Sequence, residues 1–176
     1  MSSNTTQPQI GGQTSGIRAP LPLEKLIPFL ESSIPSFDGG IHGSGARQSR
    51  GRGQVTVQQF KFGQSNPTYL ITDASDQALK FVLRRKPSGK LISPTAHRIE
   101  REFLVLHRIS AYNDLISSSE VPGGEDRRIP VPRVYCLCED ESVVGAGFYV
   151  MEYLQGRIFE DVEMPEIESE EERRAW

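Results

Sequence analysis

A chain of 176 residues, of which 36% are hydrophobic and 24% charged, has room for one small domain with polar flanks, and we expect an ordered core of about a hundred residues. The net charge of -3 argues against nucleic-acid binding through bulk positive charge. The sequence has no run of about 18 apolar residues that would span a membrane, and its polar start lacks the features of a secretory signal.

The first predicted helix lies in residues 22–34, after a polar segment, 1–18, that we expect to be disordered. Pro28 lies inside that window and predicts a kink or a late start. The helix either packs beside the domain that follows or is a generic amphipathic stretch, and the residues leave both interpretations open. The apolar side chains at helical spacing are Leu23, Leu26, Ile27 and Leu30.

Glycine and arginine are concentrated in residues 38–54. A tract of this kind can bind RNA electrostatically, but this one has no interleaved aromatic side chain and belongs to an acidic chain. We therefore interpret it as a flexible insertion in the domain.

Three short strands are predicted next, at residues 55–62, 67–72 and 78–85. In the first strand the apolar positions change register between Val57 and Phe60, which predicts a bulge near Gln58 and Gln59. Short polar turns separate the strands, so we expect them to form an antiparallel meander.

The main helix is predicted at residues 93–110, with Ser93 as its cap and Pro94 in its first turn. Its apolar stripe consists of Ile99, Phe103, Leu106 and Ile109. A polar loop follows at residues 112–128. The remaining predicted elements are an extended, proline-led segment at 129–138 that enters a fourth strand, a turn, a fifth strand at 146–154, and a charged helix that begins at residue 170.

The two cysteines, Cys136 and Cys138, are separated by one residue. A metal site would need further Cys or His ligands at supporting spacing, and the three histidines lie far away in the sequence. Side chains two apart on a strand share one face, so we interpret this pair as small buried side chains. Free thiols fit a reducing, cytoplasmic compartment.

Glu102 is the charged residue of the main helix that falls within its apolar stripe, whereas Glu100 projects elsewhere. A carboxylate on a buried face needs a cationic partner. Arg84, near the end of the third strand, is the nearest plausible donor, and alternation places it on the same face as Val82 and Lys80. The pair is either an ordinary strand–helix ion pair or the cation–carboxylate arrangement that holds nucleotide phosphates in kinases.

These segments resemble the aminoglycoside phosphotransferase and choline kinase superfamily, and in particular the aminoglycoside-phosphotransferase-like domain also found fused in acyl-CoA dehydrogenase family proteins. The resemblance covers roughly residues 20–176. The segments that carry it are FKFGQSNPTYLIT (60–72), FVLRRKPSGKLISPTAHRIEREFLVL (81–106), VPRVYCLCEDESVVGAGFYVMEYLQGRIF (131–159) and ERRAW (172–176).

The resemblance implies an α+β fold, namely a protein-kinase-like N-lobe in residues 19–157, with a five-stranded antiparallel sheet and one main helix. Residues 158–176 would form a linker and the start of a C-lobe. The implied function is the nucleotide-binding lobe of an ATP-dependent phosphotransferase that acts on the hydroxyl group of an unidentified small molecule.

The resemblance also implies which residues contact the nucleotide. A polar loop would cover the phosphates, Val82 would lie against the adenine face, and residues 151–154 would form a hinge that offers backbone groups to the adenine edge. Arg84 stands where most of the superfamily has a lysine, and it keeps the charge with a different shape. The full set is Gly63, Ser65, Asn66, Val82, Arg84, Glu102, Met151, Glu152, Tyr153 and Leu154.

The sequence departs from the family pattern in one large respect. It has neither the catalytic loop of the H-x-D-x-x-x-x-N type nor the second aspartate of the main metal site. His97 and His107 lie on the predicted main helix, and neither is followed two residues later by Asp. The ERRAW ending resembles the first turn of the C-lobe, so we expect a chain truncated at the lobe boundary. A fragment, a splice form and an incomplete gene model all remain open.

We therefore expect these residues to bind ATP, to need a C-lobe for Mg²⁺, and to be inactive by themselves. The alternative function is a non-catalytic half-domain that binds a protein partner, or a second copy of itself, through uncovered apolar surface around residues 149–154. Neither interpretation involves nucleic acid or a membrane.

Overall fold

Two helices cover opposite faces of one antiparallel sheet in the computed structural model. The model describes residues 14–15, 17, 20–37, 55–61, 66–73, 79–87, 98–118, 127–156, 167 and 169–175. The Gly-Arg tract 38–54 and the predicted helix start at Ser93 and Pro94 lie outside the described residues.

The sheet contains the five strands that the sequence predicts, and a short sixth strand at its edge. Its strands are β1 (Thr14–Ser15), β2 (Thr56–Phe60), β3 (Thr68–Thr72), β4 (Lys80–Arg85), β5 (Val134–Cys138) and β6 (Phe148–Glu152). They follow the order β1-β2-β3-β4-β6-β5, and every neighbouring pair is antiparallel. The predicted meander and the α+β class are confirmed.

Two details of the β2 edge differ from expectation. Thr14 and Ser15 pair with Phe60 and Gln59, although no structure was expected in this segment. The open edge of β2 supplies backbone partners to these residues, which carry no strand pattern of their own. The bulge expected near Gln59 is wrong, because β2 pairs with β3 in unbroken register. Both faces of β2 are partly exposed, so its apolar residues need not alternate.

The first helix, α1 (Leu23–Ser33), packs against one face of the sheet, which settles the alternative that the sequence left open. Pro28 lies inside the helix and does not delay its start. Leu26 and Leu30 are completely or almost completely buried, and burial of such side chains contributes about 1.5–3 kcal/mol each. The sheet residues of this core include Tyr69, Ile71, Phe81, Leu83, Phe148 and Val150.

The second helix, α2 (Ile99–Ser118), packs against the other face and continues well past the predicted end near residue 110. The last turns of α2 are joined to the chain that follows, because the buried side chain of Asn113 donates to the carbonyl of Ile129 at 2.8 Å and accepts from its N–H at 2.9 Å. A smaller core joins α2 to the sheet, and it contains Ile99, Phe103, Leu106, Val134, Leu137, Tyr149 and Met151.

A single helical turn, α3 (Glu141–Val144), replaces the turn expected between the last two strands. The Asp140 side chain caps it, and Gly145 ends it in the left-handed conformation with φ of 80°. Cys136 and Cys138 both lie against the core under α1, as predicted for side chains two apart on a strand. The charged helix α4 (Glu170–Ala175) also forms as predicted.

Among the described residues, none of the helices has the length and apolar character needed to cross a lipid bilayer.

Candidate functional site

Strand β4 places Val82 and Arg84 on the face of the sheet that α2 covers. They pair across the strands with Met151 and Tyr149 of β6, so the four side chains are cross-strand neighbours on one surface. Alternation along β4 predicted that Val82 and Arg84 share this face.

Arg84 and Glu102 form an ion pair between the sheet and α2. The Arg84 Nε donates to Glu102 Oε2 at 2.7 Å, and Nη2 makes a longer contact of 3.5 Å to Oε1. The side chains of Arg84 and Glu102 are 29% and 38% exposed. The structure therefore brings together the two residues that helical phase and strand alternation selected, at the edge of the buried face.

Two further donors hold the Glu102 carboxylate. The Tyr149 hydroxyl donates to Oε2 at 3.2 Å, and the Asn66 side-chain amide donates to Oε1 at 3.3 Å. Together with Arg84, these donors approach both oxygens, which restrains a side chain that has several rotatable bonds.

Tyr149 is 2% exposed and is not among the site residues predicted from the sequence. Burial, together with the negative charge of Glu102, raises the pKa of Tyr149, so its hydroxyl stays protonated and donates. Alternation along β6 puts Tyr149 on the same face as Met151. That alternation was the one signal in the sequence that could have pointed to Tyr149.

Asn66 is the described member of the predicted phosphate loop, whereas Gly63 and Ser65 lie outside the described residues. Its side chain is buried, and its Oδ1 has no hydrogen-bond partner among the residues that the structure describes. Thr68 donates to the Asn66 carbonyl at 3.0 Å and accepts from Arg84 Nη1 at 3.4 Å. The start of β3 is thereby tied to the ion pair.

Glu100 does not simply project away from the sheet. It forms a hydrogen-bonded ion pair with Lys86, directly after β4. Burial disfavours the charged form of Glu100, but its hydrogen bonds and nearby cations, led by Lys86, lower its pKa overall. Helical phase correctly separated the two glutamates, but it did not reveal that each has a cation of its own.

In the predicted hinge, residues 151–154, one backbone N–H is already hydrogen-bonded within the protein. Met151 and Glu152 belong to β6, and the Glu152 N–H already donates to the Arg133 carbonyl at 2.7 Å. Tyr153 and Leu154 follow the strand without regular structure, and the Lys80 ammonium lies 5.5 Å from the centre of the Tyr153 ring.

The predicted uncovered surface at residues 149–154 is wrong in large part. Tyr149 and Val150 are buried under the two helices, and Leu154 alone is an exposed large apolar side chain in this stretch.

The family model described as the phosphotransferase enzyme family matches residues 56–176. This chain belongs to that family. A crystal structure of a Ralstonia eutropha protein assigned as an aminoglycoside phosphotransferase has a TM-score of 0.54 and 28% identity with it, over 84% of this chain and 32% of that one. The predicted family and the kinase-like N-lobe fold of this phosphotransferase-family chain are confirmed.

Longer proteins also match this phosphotransferase-family chain. Probable acyl-CoA dehydrogenase IBR3 of Arabidopsis thaliana is 45% identical over 118 residues, which is 66% of this chain and 12% of that protein. Acyl-CoA dehydrogenase family member 10 of mouse is 35% identical over 153 residues, 87% of this chain and 12% of that protein. The chain thus spans a small part of these relatives.

Proposed function

We propose that this chain is the nucleotide-binding lobe of an ATP-dependent phosphotransferase that acts on the hydroxyl group of a small molecule. The observation that carries the proposal is the Arg84–Glu102 ion pair, which joins a sheet cation to the helix carboxylate at 2.7 Å. Family membership supports the reaction class, and the partly exposed guanidinium supports phosphate binding.

The residues present fit a triphosphate. The contacts of Arg84 to Glu102 and Thr68 use one hydrogen on each terminal nitrogen of the guanidinium, and no other described residue takes the second hydrogen on either nitrogen. Two N–H groups of one planar cation suit bidentate binding of phosphate oxygens. In our proposal Glu102 orients this cation, and Asn66 with the neighbouring Gly63 and Ser65 contributes the loop over the phosphates.

The adenine ring would lie against Val82, which pairs across the strands with Met151. Because the N–H of Glu152 is already bonded to Arg133, the adenine edge would meet the backbone of Tyr153 and Leu154 beyond the strand end. The expected hinge contacts are therefore made by Tyr153 and Leu154 and not by Met151 and Glu152.

We infer that these 176 residues bind nucleotide without transferring a phosphoryl group. Phosphoryl transfer depends on positioning and charge stabilisation by a catalytic base and metal ligands, and the family's H-x-D motif is not in the sequence. Any Mg²⁺ ligands would come from a C-lobe. A cytoplasmic location is part of the proposal, and the free thiols of Cys136 and Cys138 fit a reducing compartment.

Calorimetric titration of the 176-residue chain with ATP and with adenosine tests the proposal. ATP should bind more tightly than adenosine, and Arg84→Ala should remove most of that difference, since a hydrogen bond to a charged group contributes about 1.5–3 kcal/mol. Arg133→Ala, which removes an exposed arginine paired with Asp114, is the matched control and should leave the difference intact. Equal affinities of the wild-type chain for ATP and adenosine would exclude the proposal.

A second candidate function, a partner-binding half-domain, is favoured by the exposed apolar side chains of α2. These are Leu104, Val105, Tyr112 and Leu115. Light scattering of the chain and of a Leu104→Gln, Leu115→Gln double variant tests self-association through this face. A wild-type chain that stays monomeric at high concentration removes self-association from consideration.

A further inference from the structure

The hydroxyl of Tyr149 is the neutral donor that shares Glu102 Oε2 with Arg84. Tyr149 Oη lies 3.2 Å from Oε2, and Arg84 Nε lies 2.7 Å from the same atom. Tyr149 and Arg84 are also directly paired across strands β6 and β4. One oxygen of the carboxylate therefore joins two neighbouring strands to α2.

The ring of Tyr149 is fixed by its surroundings. It is almost completely buried in the small core under α2, and the Phe103 ring packs edge-on against it with centroids 6.2 Å apart. A buried ring with few rotatable bonds is a better anchor than the flexible side chain of Glu102. The hydroxyl therefore constrains the carboxylate, and the carboxylate does not constrain the ring.

We propose that Tyr149 is a positioning residue for nucleotide phosphates: its hydroxyl fixes Glu102, and Glu102 fixes the guanidinium of Arg84. This inference rests on the proposed nucleotide-binding function and deepens it. Without the hydroxyl, Oε2 keeps, among the described residues, only its bond to Arg84, and the pair gains freedom to move away from the phosphates.

The inference predicts a phosphate-specific effect. Adenosine has no phosphates and does not depend on Arg84, whereas ATP does. The ratio of the Kd for adenosine to the Kd for ATP therefore measures what the Arg84–Glu102 pair contributes, and it is insensitive to a general loss of stability.

Tyr149→Phe keeps the ring and removes the hydroxyl. We expect the ratio to fall about five- to tenfold, with the Kd for adenosine changed less than about twofold, since the hydrogen bond that is lost acts on the phosphates only through Glu102 and Arg84. Tyr135→Phe is the matched control, because Tyr135 packs on Phe81 at the opposite face of the sheet, and it should leave the ratio unchanged.

A double-mutant cycle shows whether Tyr149 acts through Glu102. In the Glu102→Ala background, Tyr149→Phe should have no further effect on the ratio, because the hydroxyl no longer has a carboxylate to hold. Additive effects of the two substitutions would overturn the inference.

The remaining outcomes separate this inference from the proposed function. If the wild-type ratio is close to one, the proposed function itself fails. If the wild-type ratio is large and Tyr149→Phe retains it, the function stands and the positioning role of Tyr149 is wrong. If Tyr149→Phe loses affinity for ATP and for adenosine equally, or no longer unfolds cooperatively on heating, the hydroxyl has a structural role only.

Discussion

Glu100 and Glu102, two residues apart on α2, each form an ion pair with a different cation in or directly after β4. Glu100 pairs with Lys86, and Glu102 pairs with Arg84. The two ion pairs have similar chemistry and similar exposure, but different places in the site. Tyr149 and Asn66 donate to Glu102, whereas Glu100 lies toward the end of the strand. The Glu100–Lys86 pair can therefore serve as an internal control for the proposed site at Arg84 and Glu102.

The first prediction uses that control. Glu102→Ala should weaken ATP binding about tenfold, because Arg84 loses the carboxylate that orients it. Glu100→Ala should change ATP affinity less than about twofold, because it releases Lys86 and leaves Arg84 in place. Calorimetry with both variants measures this contrast. Equal losses in the two variants would contradict the assignment of Arg84 as the phosphate cation.

The second prediction concerns pH and stability. Since the folded state lowers the pKa of Glu100 below its ordinary value of 4.5, the ionised form stabilises the fold above that value. This stabilisation should disappear as pH falls from about 4.5 through the lower folded pKa. The free energy of urea unfolding should therefore favour wild type over Glu100→Gln by up to about 1 kcal/mol at pH 7. The difference should become smaller as pH falls below about 4.5.

A suitable control is Glu139→Gln, which removes an exposed glutamate outside the described ion pairs. Its unfolding free energy should follow that of wild type at every pH. A Glu100→Gln difference that stays constant between pH 7 and pH 3 would show that the Lys86 pair does not act through ionisation.

Most of the fold was predictable because its information is local. The consecutive strands β2, β3 and β4 pair through short connections, so their spacing in the sequence specifies the meander. The length of α2 was not predictable from periodicity, because the apolar stripe is not continued in its last turns, where Tyr112 and Leu115 are exposed and Asn113 is buried. These turns are joined by two hydrogen bonds to the backbone of Ile129, one donated by the Asn113 side chain and one accepted by it.

The site was predictable as far as single elements determine it. Helical phase selected Glu102, and strand alternation selected Arg84, because each periodicity belongs to one element. Tyr149 depends on the register between β4 and β6, which are neighbours in the sheet but are separated in the chain by α2, β5 and α3. No periodicity in the sequence reports that register.

The third prediction concerns the thiols. Burial, reinforced by the nearby Cys138, raises the pKa of Cys136 to about 12, and burial also raises the pKa of Cys138. Thiolate is the reactive form, so both should resist iodoacetamide at pH 8 in the native chain and react fully in guanidinium. Mass spectrometry measures the modification. Rapid native alkylation of either cysteine would show that β5 is more accessible than the structure indicates.

The fourth prediction concerns the end of α2. Asn113→Ala removes both hydrogen bonds to Ile129, and unfolding free energy should fall by about 1–2 kcal/mol, because the Ile129 backbone regains water on an exposed residue. Hydrogen exchange should accelerate in residues 113–118, while amides of β4 stay protected. Ser118→Ala, which removes an exposed hydroxyl bonded within the same helix, is the matched control and should change neither quantity.

The Asn113 prediction also bears on the proposed site, because α2 carries Glu102 near its first turns and Asn113 beyond its middle. If α2 is stabilised mainly by the core around Ile99, fraying of its end leaves Glu102 in place and ATP affinity unchanged. A joint loss of ATP affinity and of protection in the last turns would instead show that the helix positions Glu102 as one cooperative unit. Measuring both quantities on one variant separates local from cooperative unfolding, since only a cooperative helix transmits the change across its length.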